Sequence, residues 1–256
     1  RQVSSAASDV YKRQSLTTLS SCYQPKDSLL LKDILSSMDQ NFTPIVNEPT
    51  KHYLQVMYTQ IDRDADQAPI FTTHAFNVNP KKYFYPASTV KLPAAVLSLD
   101  KLRRYESLGI TKDTKLTIGS SKDWMSPVKG DSTHELGYAT VAQYIKKIFV
   151  VSDNDAYNRL YEFLGQERFN QRMWDLGYLE TRIRHRLSIR LSPDQNKYSN
   201  AFSFYSKGTK LLDQPMQYSS LDLKVNTKSN LIGNLTLWME KKSKVQWIFL
   251  QKTFSV

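Results

Sequence analysis

"YPASTVKLPAAVLSLDKL", Tyr85 to Leu102, begins extended and turns helical, and at the turn it sets Ser88 three residues ahead of Lys91. Leu92, Val96, Leu99 and then Leu102 or Arg103 recur at helical spacing, and Gly109 closes the pattern, so residues 88 to about 107 read as one long buried helix. Pro93 removes a backbone donor and leaves the Thr89 carbonyl without its usual partner, which predicts an irregular first turn. Residues three apart on a helix share a face, so the Lys91 amine can fold back to the Ser88 oxygen.

A serine hydroxyl is a weak nucleophile at neutral pH and needs a base in hydrogen-bond reach. At a helix start, the positive end of the dipole favours negative charge at Ser88, and its unpaired N–H can serve as half of an oxyanion hole. Burial beside Val90 and Leu92 would lower the lysine's pKa toward the neutral form that a base requires. Taken alone, the spacing fits equally a helix with an N-terminal serine and a solvent-facing lysine.

Working outward, "DSLLLKDILSSM" from Asp27 predicts a first helix through Leu30, Leu31, Ile34, Leu35 and Met38, with Asp27 or Ser28 as N-cap. "HYLQVMYTQI" and "IFTTHAFNV" alternate through Leu54, Val56 and Tyr58, then Ile70, Thr72, His74 and Phe76, and predict an antiparallel hairpin across "DRDADQAP". Residues 110 to 190 read as mostly helical: Thr140 caps "VAQYIKKIFVV", "DAYNRLYEFLG" closes on Gly165, and "QERFNQRMWDLG" closes on Gly177. Beyond about 206 the periodicity weakens, with "KVQWIFLQKTFSV" a candidate terminal strand. The order predicts an α/β sheet interrupted by an all-helical insertion over 106–205.

The 256 residues suffice for one domain, and no run approaches the roughly 18 apolar residues that cross a bilayer. A formal charge of +11 suits a polyanionic partner, but the basic residues are scattered. The densest group, Arg182, Arg184, His185, Arg186 and Arg190, lacks aromatic interleaving and reads as a solvated basic face, not a nucleic-acid site. His52, His74, His134 and His185 show no ligand spacing, and with a single cysteine and 8 glycines neither a metal nor another cofactor is expected.

That cysteine, Cys22, follows Leu19-Ser20-Ser21 in the manner of a bacterial lipobox, though an exposed cysteine in a polar stretch is the alternative. "RQVSSAASDVYKRQ", residues 1–14, has neither an initiator Met nor an apolar signal core and resembles a translated sequencing-adapter scar. Residues 1–22 are therefore expected to be a non-native leader and lipobox remnant, ahead of a domain over 23–256.

Ser152-Asp153-Asn154 falls between two predicted helices, and its serine and aspartate are also good N-caps for the helix that follows. With Ser88 and Lys91 in that order, it matches the motif set of penicillin-recognising serine enzymes. On "YPASTVKLPAAV" and "VSDNDAYNRLYEFLG", the stretch from about Tyr53 to Phe204 resembles the class A β-lactamases, which share a fold with penicillin-binding proteins and D,D-peptidases. The resemblance implies a monomeric hydrolase, with Ser88 attacking an amide carbonyl and Lys91 accepting its proton. Ser152 would relay a proton to the leaving nitrogen, Asn154 would orient the substrate amide, and Asp153 would hold the loop. The substrate class implied is a β-lactam or a peptidoglycan-like amide, met outside the cytoplasm in the periplasm or at a lipid anchor.

The family's Lys-Thr/Ser-Gly motif is missing. Lys252-Thr253 stands near its place with Phe254 where the glycine belongs, and Lys207-Gly208-Thr209 has the residue types in the wrong order. The chain is accordingly expected to be truncated, with its C-terminal strands incomplete. No Glu-x-x-Leu-Asn string supplies a deacylating base, and Glu180 and Asp194 are the nearby carboxylates. Three functions stay open: a β-lactamase-like hydrolase, a penicillin-binding or D,D-peptidase-like protein that acylates without fast turnover, and a catalytically dead cell-envelope binding module.

Overall fold

The computed structural model describes residues 26–79 and 85–224. The leader with Cys22, the candidate terminal strand and Lys252-Thr253-Phe254 lie outside the described residues. Those residues fall into two compact units, 26–79 and 85–224. Both mix helices with antiparallel strands, which places the chain in the expected α/β class.

In the first unit, α1 (Leu29–Ser36) is capped by Ser28, whose Oγ accepts from the Leu31 N–H. A short α2 (Thr43–Asn47) follows. The expected hairpin forms from β1 (Val56–Arg63) and β2 (Pro69–Phe76), with Val56 opposite Phe76 and Arg63 opposite Pro69. Asp64 closes it, its Oδ1 accepting from the Asp66 and Ala68 N–H groups in the way Asx turns do. Ser28 N–H donates to the Ala75 carbonyl and Asn77 N–H to Asp27 Oδ1, so the start of α1 is tied to the end of β2.

The second unit is built around one helix. After a 3-10 turn (Ala87–Val90) come α3 (Lys91–Arg103), β3 (Lys115–Ile118), α4 (Val141–Val150), α5 (Asn154–Leu164) and α6 (Gln166–Asp175). The strands β4 (Tyr198–Ser199), β5 (Phe202–Ser206), β6 (Thr209–Gln214) and β7 (Gln217–Tyr218) complete it. Every residue of α5 from Ala156 to Leu164 is buried, because α3, α4, α6 and the β3–β5–β6 sheet enclose it. Leu116, Phe202 and Phe204 share one face of the sheet, where the Phe163 ring lies 5.5 Å from that of Phe202 and 5.8 Å from that of Phe204.

Four expectations need correction. The long helix starts at Lys91 and ends at Arg103, because the 3-10 turn before it absorbs the missing Pro93 donor and Gly109 (φ +71°) follows a second 3-10 turn, Glu106–Leu108. Its buried face is also different: Leu92, Val96 and Leu99 are exposed, while Lys91, Ala94, Ala95, Ser98, Lys101 and Leu102 are buried. Small side chains let α3 approach α5 closely, and that advantage outweighs the larger apolar residues. The block 106–205 carries α4, α5 and α6 but also β3, β4 and most of β5, since four residues of "KLTI" are too few to show a period. Finally, Arg186 is no part of a solvated face. It is 3% exposed and paired with Glu162 at 2.9 Å.

Candidate active site

The start of α3 and the start of α5 meet. Ser88 sits in the 3-10 turn and Lys91 opens α3, so the three-residue spacing becomes a contact of 3.3 Å from Lys91 Nζ to Ser88 Oγ. The loop between α4 and α5 reverses the chain at Ser152, which adopts a left-handed φ of +53°. That reversal places both its oxygens against Lys91: Nζ donates to the Ser152 carbonyl at 2.5 Å and to Oγ at 2.9 Å. Lys91 also donates to Asn154 Oδ1 at 2.7 Å, and the Ser152 and Ser88 hydroxyls lie 3.3 Å apart.

Ser88, Lys91, Ser152 and Asn154 converge there. Asp153 stands at the base of the site as the N-cap of α5, its Oδ1 accepting from the Ala156 N–H at 3.0 Å. Asp153 thus caps the helix while its neighbours Ser152 and Asn154 face Lys91.

Lys91 is 3% exposed, whereas Ser88 and Ser152 are exposed. Burial pulls the Lys91 pKa below its ordinary value, and the Asp153 charge opposes part of that shift. An ammonium has three hydrogens, yet four oxygens compete for them. The Ser88 contact is the longest of the four. Loss of one proton leaves two donors and a lone pair that can turn toward the Ser88 hydroxyl, so the arrangement is suited to proton transfer between a serine and an amine.

Ala87 (φ +45°), Ser152 (φ +53°) and Ser188 (φ +55°) are non-glycine residues in left-handed conformations, and all three border the site. Such conformations cost roughly 1–3 kcal/mol each and persist only where the surroundings enforce them.

Ser188 went unnoticed in the sequence, where it follows a basic run. Its Oγ accepts from Asn154 Nδ2 at 2.7 Å, the other end of the amide that faces Lys91. Glu180 and Asp194 contribute no hydrogen bond to this group. Among the described residues, no carboxylate hydrogen-bonds to Ser88, Lys91, Ser152 or Asn154. Lys207-Gly208 forms the tight turn of the β5–β6 hairpin, with φ of +47° and +82°, which accounts for its composition.

The helices of this unit pack on an antiparallel sheet and bring one lysine against two serines and an asparagine, at hydrogen-bond distances. The sequence model of the beta-lactamase enzyme family matches residues 40–220, well over half of the chain, and the chain belongs to that family. No curated protein and no solved structure gives a significant match.

Proposed function

We propose that the protein is a serine hydrolase of the class A β-lactamase type that opens an amide, such as a β-lactam, or an ester through an acyl-serine. The observation carrying this reading is that one buried amine, that of Lys91, contacts Ser88, Ser152 and Asn154 together. Neutral Lys91 takes the Ser88 proton as Oγ attacks the carbonyl carbon. The tetrahedral adduct then collapses, the carbon–nitrogen bond breaks, and the proton passes through the Ser152 hydroxyl to the leaving nitrogen. Asn154 orients the substrate amide. Water hydrolyses the ester and returns Ser88 to its starting state.

The lack of a hydrogen-bonded carboxylate among the described residues favours a second reading on one point, the lifetime of the adduct. With no carboxylate among the described residues hydrogen-bonded to Ser88, Lys91, Ser152 or Asn154, activation of the deacylating water would be weak, as in a penicillin-binding or D,D-peptidase-like protein. On either reading the enzyme is an exported monomer that needs no cofactor, anchored through Cys22 or free in the periplasm.

Intact-mass spectrometry during incubation with a penicillin tests this. Wild type is expected to gain one ligand mass and Ser88→Ala none, while Lys91→Ala labels orders of magnitude more slowly. Decay of the adduct with release of opened drug identifies a β-lactamase, and a persistent adduct identifies the second reading. Equal labelling of wild type and Ser88→Ala would overturn both.

A further inference from the structure

Ser188 ends a segment, 183–188, that side chains of α5 and α6 hold at four-residue intervals. Asn170 takes both backbone groups of Ile183: the Ile183 N–H donates to Oδ1 at 2.8 Å, and Nδ2 donates to the carbonyl at 2.8 Å. Gln166 Nε2 donates to the Arg184 carbonyl at 2.8 Å, and the Arg186 guanidinium donates to Glu162 Oε1 at 2.9 Å. Asn158 repeats the two-way clamp on Leu187, at 2.7 Å from the Leu187 N–H and 3.0 Å to its carbonyl. Asn154 closes the series at the Ser188 hydroxyl.

Asn158, Glu162, Gln166 and Asn170 are all buried. A buried polar group left unpaired costs about 1–3 kcal/mol, so any shift of this strap by one residue would strand several groups at once. The strap consequently has one register. It delivers Ser188 to one place, in a left-handed conformation that the clamp on the preceding residue sustains.

The Asn154 amide is gripped from both ends. As an ammonium Lys91 offers only hydrogens and so meets the oxygen, while Ser188 meets the nitrogen. Without Ser188 the amide is held at one point and can rotate about its side-chain bond.

We propose that Ser188 is a positioning residue of the acyl-transfer site, fixing the Asn154 amide so that its oxygen stays against Lys91. This rests on the acyl-serine reading above. The role is indirect: Ser188 acts through Asn154 and not on the substrate.

The test compares rates of penicillin labelling in wild type, Ser188→Ala and Ser188→Gly, each alone and combined with Asn154→Ala, alongside thermal unfolding. Glycine tolerates the left-handed backbone and guards against a failure of folding in the alanine variant. Labelling is expected to fall between about tenfold and a hundredfold in both single variants with melting temperatures unchanged. In the Asn154→Ala background the same changes are expected to have no further effect. Losing the Asn154 oxygen also destabilises the Lys91 ammonium, so the acid limb of labelling against pH should move to lower pH, with Asp153 still in place.

Wild-type rates in both single variants would overturn the proposal while leaving the acyl-serine reading intact. So would a full further loss in the Asn154→Ala background, or unfolding of both variants, which would mark Ser188 as structural. A wild type that takes no label defeats the acyl-serine reading itself and the proposal with it.

Discussion

At Lys91, two opposed effects set the working pH. Burial lowers the pKa of the amine and the Asp153 charge raises it, with burial the larger. A base must be neutral, so labelling should rise with pH through a midpoint below the ordinary lysine value and fall away on the acid side. Asp153 also caps α5, and two substitutions separate its roles. Asp153→Asn keeps an acceptor for the Ala156 N–H and removes the charge, which should move the acid limb to lower pH with little change in stability. Asp153→Ala should show the same shift and also lose about 1 kcal/mol of stability with the cap. Urea unfolding and labelling at a series of pH values measure both, and an unmoved limb in Asp153→Asn would show that the charge does not reach Lys91.

Among the elements, α5 is the one on which the others depend. Its first residue faces Lys91, and its third turn carries Glu162, 4% exposed, which receives the Arg186 guanidinium at 2.9 Å and the Asn200 amide at 3.2 Å. Arg159 adds a second cation 3.7 Å away. Removing one partner of such a buried group strands the charge of the other, so Glu162→Ala should cost about 3–5 kcal/mol in urea unfolding. Glu162→Gln keeps the volume but not the charge and should recover only part of that. A loss within about 0.5 kcal/mol, typical of surface changes, would show that Arg186 finds other partners. Since Arg186 lies two residues before Ser188, the same change should loosen the strap that ends at the site.

For the molecule as a whole, one group that couples stability to pH is Lys101. Its Nζ donates to the Phe163 carbonyl and, at 2.5 Å, to Gln214 Oε1, and lies 4.3 Å from the centre of the Phe163 ring. These contacts favour the ammonium, but burial, with the nearby Arg104 charge, outweighs them and brings the pKa down to about 7. Between that value and the unfolded lysine's pKa, the unfolded chain binds the extra proton. Stability should therefore increase with pH from about 7 toward 10, by up to about 1.4 kcal/mol per pH unit. Lys101→Met should flatten that slope in urea unfolding at pH 7, 8 and 9, and an unchanged slope would exclude Lys101 as its source. Lys91 and Lys101 together pin α3 to α5, one at the first residues of both helices and one near their ends, so the two run side by side in the same direction.

Much was determined by the sequence alone, because the signals were local. The hairpin over 56–76, the caps at Ser28 and Thr140, and the helix ends at Gly165 and Gly177 each depend on a few neighbouring residues, and the structure forms them. The motifs Ser88-x-x-Lys91 and Ser152-Asp153-Asn154 were equally visible, since each is a short string with a chemical reason for its spacing. Which face of α3 is buried was decided only in three dimensions, where close contact with α5 selects Ala94, Ala95 and Ser98 over Leu92, Val96 and Leu99. The strap that brings Ser188 to Asn154 was equally hidden. Its spacing of 154, 158, 162, 166 and 170 is written in the chain, but those polar residues look like a solvated stripe. Only the tertiary structure encloses α5 and buries Gln166 and Asn170 of α6, and once water is excluded such a stripe has to find its hydrogen bonds in the protein.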